Sequence, residues 1–159
     1  MQQHQVRVYP SAESPTREQL LAWKIAAVAA DPVPVQPEVV DMIINRVIDN
    51  TGVAMAGLAR LPVANARAQA MAHPHAGGAT IYGMSRDQRV SCEWAAWANG
   101  SAVRELDFHD TFLAADMNHP GDVMAPVIAV GQQCGASGAD LIRGIATAYE
   151  IAVDLAKGM

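Results

Sequence analysis

The amino-acid sequence predicts an all-α fold, a bundle of several helices. Apolar residues recur three and four positions apart through most of the chain, which is the spacing of a buried helix face. No run of useful length alternates apolar and polar residues as a half-buried strand does. The 159 residues are 51% hydrophobic and 17% charged. The chain can therefore build one core, and it also leaves apolar surface for another surface to cover.

The first predicted helix follows a polar segment. Residues 1–15 are expected to form a flexible N-terminal arm, and residues 16–159 a helical domain. Thr16 and Gln19 match a capping box, and apolar residues at helical spacing follow as far as Val28. The three prolines of DPVPVQP, residues 31–37, exclude a helix and predict an extended connector.

The second predicted helix begins at Pro37, because proline fits the first helical turn. We expect it to run to about Leu58 and to be central and largely buried. Gly52 and Gly57 predict close packing against another helix, since glycine otherwise weakens a helix. The apolar face of this helix consists of Val39, Val40, Ile43, Ile44, Val47 and Ile48.

The rest of the chain predicts four more helices. A helix over residues 64–72 is followed by a short strand over residues 79–82, and Ser91 is expected to cap the next helix. A long loop then begins near Asp107.

The last two helices lie on either side of a glycine. One follows Asp122 and breaks at Gly135, and the other begins at a second capping box, Ser137 with Asp140, and ends near Leu155.

Charge and cysteine content exclude several classes of protein. The net charge is −5 and no basic run occurs, so nucleic acid is not an expected partner. No N-terminal signal core and no apolar stretch of roughly 18 residues occurs, so we expect a cytoplasmic protein that does not cross a membrane. Cys92 and Cys134 lie far apart without a CxxC motif, which favours two buried free thiols.

The chemistry-bearing part of the sequence is ANGSAVRELDFHDTFLAADMNHPGD, residues 98–122. Long loops inside compact domains are often functional. A carboxylate, a hydroxyl and an imidazole (Asp107, Thr111 and His119) could converge on one pocket and move a proton. The alternative is that Asp107, Asp110 and Asp122 cap helices and turns. The residues alone leave both interpretations open.

Metal binding is a further interpretation of this loop. His109, Asp110, His119 and Asp122 offer nitrogen and oxygen ligands, but their spacing matches no tight metal motif, and we expect no metal. No lysine or arginine lies between Arg104 and Arg143. Positive charge for an anionic substrate must therefore come from elsewhere, and the helix N-terminus that follows His119-Pro120-Gly121 supplies only part of it. His73 and His75 flank a proline and are interpreted as turn residues.

This loop, with INRVIDNTGVAMAGL upstream and SGADLIRGIATAYEI downstream, resembles the N-terminal part of the MmgE/PrpD family, most closely its 2-methylcitrate dehydratases. The resemblance extends from about Gln19 to the end of the chain. It implies a large helical domain, a smaller α/β lid domain that is missing here, and a homodimer. It also implies removal of water from 2-methylcitrate to give 2-methyl-cis-aconitate, in the methylcitrate cycle of propionate catabolism, without a cofactor.

The resemblance also assigns residues. It places the family's active-site Asp, Thr and His on Asp107, Thr111 and His119, with His109 and Asp110 at neighbouring, substrate-binding positions. Family members are longer than this chain and carry lysines that bind the tricarboxylate substrate. We therefore expect an N-terminal fragment or truncated relative with little activity alone. Two alternatives stay open: a non-catalytic helical dimerisation module, and a relative that acts on another polycarboxylate, for example by decarboxylating cis-aconitate.

Overall fold

The computed structural model describes residues 4–158, which divide into two compact units between Pro34 and Val35. In the first unit a short 3-10 helix, Arg17–Gln19, precedes helix α1, Leu21–Ala30. Gln19 Oε1 accepts a hydrogen bond from Thr16 N at 2.8 Å, as the capping box predicts. The continuous helix predicted from Thr16 is wrong, because Leu20 adopts an extended conformation and α1 begins only after it.

The second unit is mostly helical. Its helices are α2 (Pro37–Ala56), α3 (Leu61–Met71), α4 (Cys92–Arg104), α5 (Met124–Cys134) and α6 (Gly138–Gly158). Its strands are short: β1 (Pro74–Ala79), β2 (Phe112–Leu113) and β3 (Met117–Asn118). The all-α prediction is confirmed.

Most predicted helix boundaries are confirmed. Pro37 occupies the first turn of α2. Ser91 is the N-cap residue of α4, although its side chain makes no capping hydrogen bond. Gly135 ends α5 with a φ of 68°, a conformation that glycine adopts without strain. Ser137 and Asp140 form the predicted capping box, with Asp140 N donating to Ser137 Oγ at 3.2 Å.

The predicted strand over residues 79–82 is placed too late. Strand β1 begins at Pro74, because the backbone at residues 73–75 forms hydrogen bonds with residues 89–91, which precede α4. His75 N donates to Arg89 O at 2.9 Å, and Ser91 N donates to His73 O at 3.2 Å. The strand therefore follows directly after α3.

Helix α2 is less buried than its apolar face predicts. Ile43 and Ala54 are buried, whereas Ile44 is 45% and Ile48 is 64% exposed. Helices α4 and α6 contact α2, and in the described structure nothing buries the stripe that carries the two exposed isoleucines. The expectation of a largely buried helix is therefore wrong for the part of this face that carries Ile44 and Ile48.

Two smaller expectations need correction. Gly57 does allow close packing, since a Cβ there would lie 3.3 Å from Ala102 O, but a Cβ at Gly52 would meet nothing within 4 Å. The thiols of Cys92 and Cys134 are free, as predicted. Cys134 is exposed rather than buried, because it is the last residue of α5 and lies beside the Gly135 turn.

Alanine dominates the core, which lets the helices approach one another closely. One cluster lies between α3, α4, α5 and β1, a second between α2, α3 and α4, and a third joins α2, α5 and α6 through Ile43, Met124 and Ile145. The third cluster lies next to the loop that precedes α5. None of the helices formed by residues 4–158 combines the length and the hydropathy that crossing a bilayer requires.

Candidate active site

The loop between α4 and α5 packs against α6. Its strands β2 and β3 form a small antiparallel hairpin in which Phe112 pairs with Asn118. Asp116 N donates to Ala156 O at 3.0 Å, and the Lys157 ammonium lies 5.8 Å from the centre of the Phe112 ring. A 3-10 turn, Pro120–Val123, then leads into α5. The loop therefore has a defined position against the last helix.

The Asp110 carboxylate holds the base of this loop. Its Oδ1 accepts a hydrogen bond from Gly121 N at 2.8 Å, and its Oδ2 accepts one from Tyr149 OH at 2.8 Å. Burial, and then the hydrogen bond to Asp110, raise the pKa of Tyr149, so the phenol stays a donor. A Cβ at Gly121 would lie 2.5 Å from Asp110 Oδ1, so only glycine allows this approach.

The same aspartate orients His119 through its backbone. The Nδ1 atom of His119 lies 2.9 Å from Asp110 O and 3.2 Å from Thr111 Oγ1. A carbonyl oxygen only accepts hydrogen bonds, so Nδ1 carries the proton of the neutral ring and Nε2 keeps its lone pair. The lone pair of the His119 ring is therefore on Nε2, and the Thr111 hydroxyl lies beside Nδ1.

His109 packs against His119 and is almost entirely buried. The ring centres lie 4.1 Å apart at an interplanar angle of 83°, and 2% of the His109 side chain is exposed. Its Nε2 lies 2.9 Å from Arg104 Nη1, and its buried Nδ1 has no hydrogen-bond partner among residues 4–158. Burial lowers the pKa of His109, and so do the charges of Arg104 and His119, while Asp107 and Asp122 oppose them.

Asp107 lies at the solvent edge of this group. It adopts a φ of 58°, a left-handed conformation that aspartate tolerates better than most residues, and 90% of its side chain is exposed. Its Oδ1 lies 3.6 Å from His109 Nε2. The structure thus brings Thr111, His109 and His119 together, with Asp107 at the rim. The roles assigned to these residues and to Asp110 stay predictions.

Sequence reasoning missed three residues at this site. Arg104 Nη1, besides its contact with His109, lies 3.4 Å from Asp122 Oδ2 and brings one positive charge to the loop. Tyr149 reaches the loop from α6, where its hydroxyl donates to Asp110 Oδ2. Asn50 is 3% exposed, its Oδ1 has no partner among the described residues, and it lies next to Gly121. One signal was available for Asn50, since it is polar and lies seven residues after Ile43 on an apolar helix face.

A metal centre and a surface cleft are two further kinds of ligand site. Residues 4–158 contain no group of three or more His, Cys, Asp or Glu side chains placed to hold one metal ion. A separate cleft of about 620 Å³ contains no residue of the loop, and it is lined by Ala76, Ser85, Arg86, Asp87 and Arg89.

Comparison with known proteins agrees with the loop motif. No solved structure matches the chain significantly. The family model described as the MmgE/PrpD N-terminal domain matches residues 19–159, which is nearly the whole chain and includes the entire loop. The chain therefore belongs to the MmgE/PrpD family.

Proposed function

We propose that this protein is a lyase of the 2-methylcitrate dehydratase type, which converts 2-methylcitrate into 2-methyl-cis-aconitate in cytoplasmic propionate catabolism. The observation that supports this most directly is the state of His119. Its Nδ1 is held by Asp110 O and lies beside the Thr111 hydroxyl, so its Nε2 is the nitrogen available to take or give a proton. Membership of the MmgE/PrpD family supports the same reaction class.

The chemical steps of the proposed reaction are proton transfers and the loss of water. A proton leaves the carbon next to a carboxylate, the C–O bond of the neighbouring hydroxyl breaks, a C=C bond forms, and the hydroxyl leaves as water after gaining a proton. We assign a proton-transfer step to His119 and a hydrogen bond to the substrate to Thr111. We propose Asp107, at the rim, as the carboxylate that acts as the partner of His119. We propose His109 and Asp110 as residues that bind the substrate.

Charge balance limits what this chain does alone. The loop carries Asp107, Asp110, Asp116 and Asp122, and positive charge reaches it from Arg104 and from Lys157 beside the Phe112 ring. A substrate with three carboxylates needs more positive charge than that. We therefore propose that full activity requires cations from a second structural part, the α/β lid that the family resemblance implies, and that the complete enzyme works as a homodimer.

The test replaces His119 in the complete protein and follows formation of the unsaturated product from 2-methylcitrate. His119→Ala is expected to lower kcat/KM by about 100-fold or more, as loss of a general acid or base does. Asp107→Ala is expected to lower it as well. His75→Ala is the matched control, because His75 is exposed and lies outside the loop.

Two results would contradict the proposal. One is near-parental kcat/KM in both His119→Ala and Asp107→Ala. The other is turnover of cis-aconitate with release of CO2 in place of 2-methylcitrate dehydration, which would assign the protein to a different reaction of the same family.

A further inference from the structure

The two neighbouring imidazoles of the loop are bound in different ways. His119 uses Nδ1 for a hydrogen bond to the backbone oxygen of Asp110, 2.9 Å away. His109 instead presents Nε2 to Arg104 Nη1, also at 2.9 Å. The other nitrogen of His109, Nδ1, is buried and has no hydrogen-bond partner among residues 4–158. The rings are close enough, at 4.1 Å, for the charge on one to affect the other.

The Arg104 contact fixes the proton on His109. A guanidinium group has only donors, so Nε2 must accept, and the single proton of the neutral ring must lie on Nδ1. That Nδ1–H group then stays buried without an acceptor, which costs free energy and is uncommon in folded proteins. Such an unsatisfied group is expected where function requires a particular protonation state.

Protonation affects the two rings unequally. A proton added to His109 must go to Nε2, which breaks the hydrogen bond from Arg104 and places two cations 2.9 Å apart. A proton added to His119 goes to Nε2 and leaves the bond between Nδ1 and Asp110 O intact. The geometry therefore favours His119 as the ring that takes the first proton.

We propose that Arg104 and His109 are positioning residues that reserve His119 as the proton acceptor of this imidazole pair. The inference rests on the proposed role of His119 in proton transfer and adds the reason why His109, its neighbour, does not compete for the proton. Neither Arg104 nor His109 needs to touch the reacting atoms for this.

The other charges around His109 do not make it the ring that takes the first proton. Asp107 Oδ1 lies 3.6 Å from Nε2, but 90% of that side chain is exposed, so solvent screens its charge. Asp122 lies beside Arg104, with Oδ2 3.4 Å from Nη1, and half of its side chain is in solvent. Burial lowers the pKa of His109 in the same direction as Arg104 does.

The test measures the ¹⁵N shifts of both histidines during an acid titration of the chain. At neutral pH we expect His109 to carry its proton on Nδ1, and on acidification we expect its ring to stay neutral to a pH below its ordinary pKa of 6.5. In Arg104→Met the donor and the charge are gone, so His109 is expected to titrate about one pH unit higher than in the parent, a tenfold change in its proton affinity.

Three variants separate this role from a merely structural one. Arg104→Lys keeps a charged donor and is expected to keep the proton on Nδ1. Arg60→Met removes a neighbouring arginine that pairs with Glu105, and it should leave both titrations unchanged. Asp122→Asn removes the second partner of Arg104 and should also leave the proton on Nδ1.

The outcomes distinguish this inference from the proposed function. A proton on Nε2 of His109 at neutral pH, or an unchanged titration of His109 in Arg104→Met, would overturn the inference, whatever the activity of His119→Ala. Near-parental kcat/KM in both His119→Ala and Asp107→Ala in the complete protein would overturn the proposed function and leave the inference about Arg104 and His109 standing.

Discussion

Asp110 contacts residues that lie 9, 11 and 39 positions away in the sequence. Its backbone oxygen orients His119, and its carboxylate joins Gly121 to Tyr149. The carboxylate thus already accepts two hydrogen bonds, and a substrate that also binds it would have to donate to the remaining lone pairs. The orientation of the His119 ring therefore depends on Asp110 as well as on its own place in the loop.

Tyr149→Phe is predicted to loosen the loop. The variant removes the donor to Asp110 Oδ2, and a hydrogen bond to a charged group contributes about 1.5 kcal/mol. The free energy of unfolding should fall by about that amount, and kcat/KM of the complete protein should fall with it. Tyr82→Phe is the control, since Tyr82 OH lies 3.4 Å from Thr51 Oγ1 and makes at best a weak hydrogen bond. Equal losses of stability in the two variants would contradict the role of Asp110.

The lowered pKa of His109 predicts how the free energy of unfolding depends on pH. Its pKa is lower in the folded chain than the ordinary 6.5, so the unfolded chain binds the proton first on acidification. Its contribution to the free energy of unfolding is therefore complete above about pH 6.5 and is lost as pH falls toward the folded pKa. Urea unfolding at several pH values should show a smaller acid loss in His109→Gln than in the parent. An unchanged slope in His109→Gln would refute the prediction.

The 3-10 turn before α5 depends on the absence of a side chain at Gly121. A Cβ there would lie 2.5 Å from Asp110 Oδ1 and 3.1 Å from Asn50 Oδ1, so both side chains would have to move. The turn joins the loop to α5, and α5 shares a core cluster with α2 and α6. A change at this glycine therefore reaches both the site and the core.

Two glycine-to-alanine variants are predicted to have opposite effects on stability. Gly121→Ala should lower the free energy of unfolding by about 1–3 kcal/mol, as overpacking does. Gly52→Ala, in α2, meets no atom within 4 Å and should raise it by up to about 1 kcal/mol, because alanine favours a helix. Thermal unfolding of both variants checks the pair, and stabilisation by Gly121→Ala would contradict the close approach of Asp110.

At the level of elements, local signals were enough for most helices but not for their burial. Pro37, Gly135 and the Ser137–Asp140 box act through neighbouring residues, so the sequence reveals them. The exposure of Ile44 and Ile48 depends on which helices lie against α2, which local periodicity does not encode. The start of β1 likewise depends on pairing with residues 89–91, a contact that lies beyond α3.

The site was predictable only in part, for the same reason. The loop was identified from its composition and motif, and Thr111 and His119 do lie together at 3.2 Å. Tyr149 reaches Asp110 from α6, and no pattern in the sequence indicates that pairing. Arg104 marked the start of the cation-free stretch in the sequence, but its contact with His109 is visible only in three dimensions.

For the whole molecule, surface composition supports an assembly larger than this chain. Leu61, Phe108 and Leu113 are each more than 70% exposed, and Phe108 and Leu113 belong to the loop itself. Apolar surface of this kind is typical of protein–protein contact. Together with the shortage of cations at the loop, it fits the proposal that the complete enzyme covers the site with another structural part.

The most direct measurement is a crystal structure of the complete protein with 2-methylcitrate or its unreactive analogue tricarballylate. We predict that the ligand lies against the loop, with a carbon of the ligand's own chain or its hydroxyl within about 3.5 Å of His119 Nε2. The same ligand seated instead in the cleft of Arg86 and Arg89, with His119 Nε2 facing only solvent, would contradict the assignment of this loop as the active site.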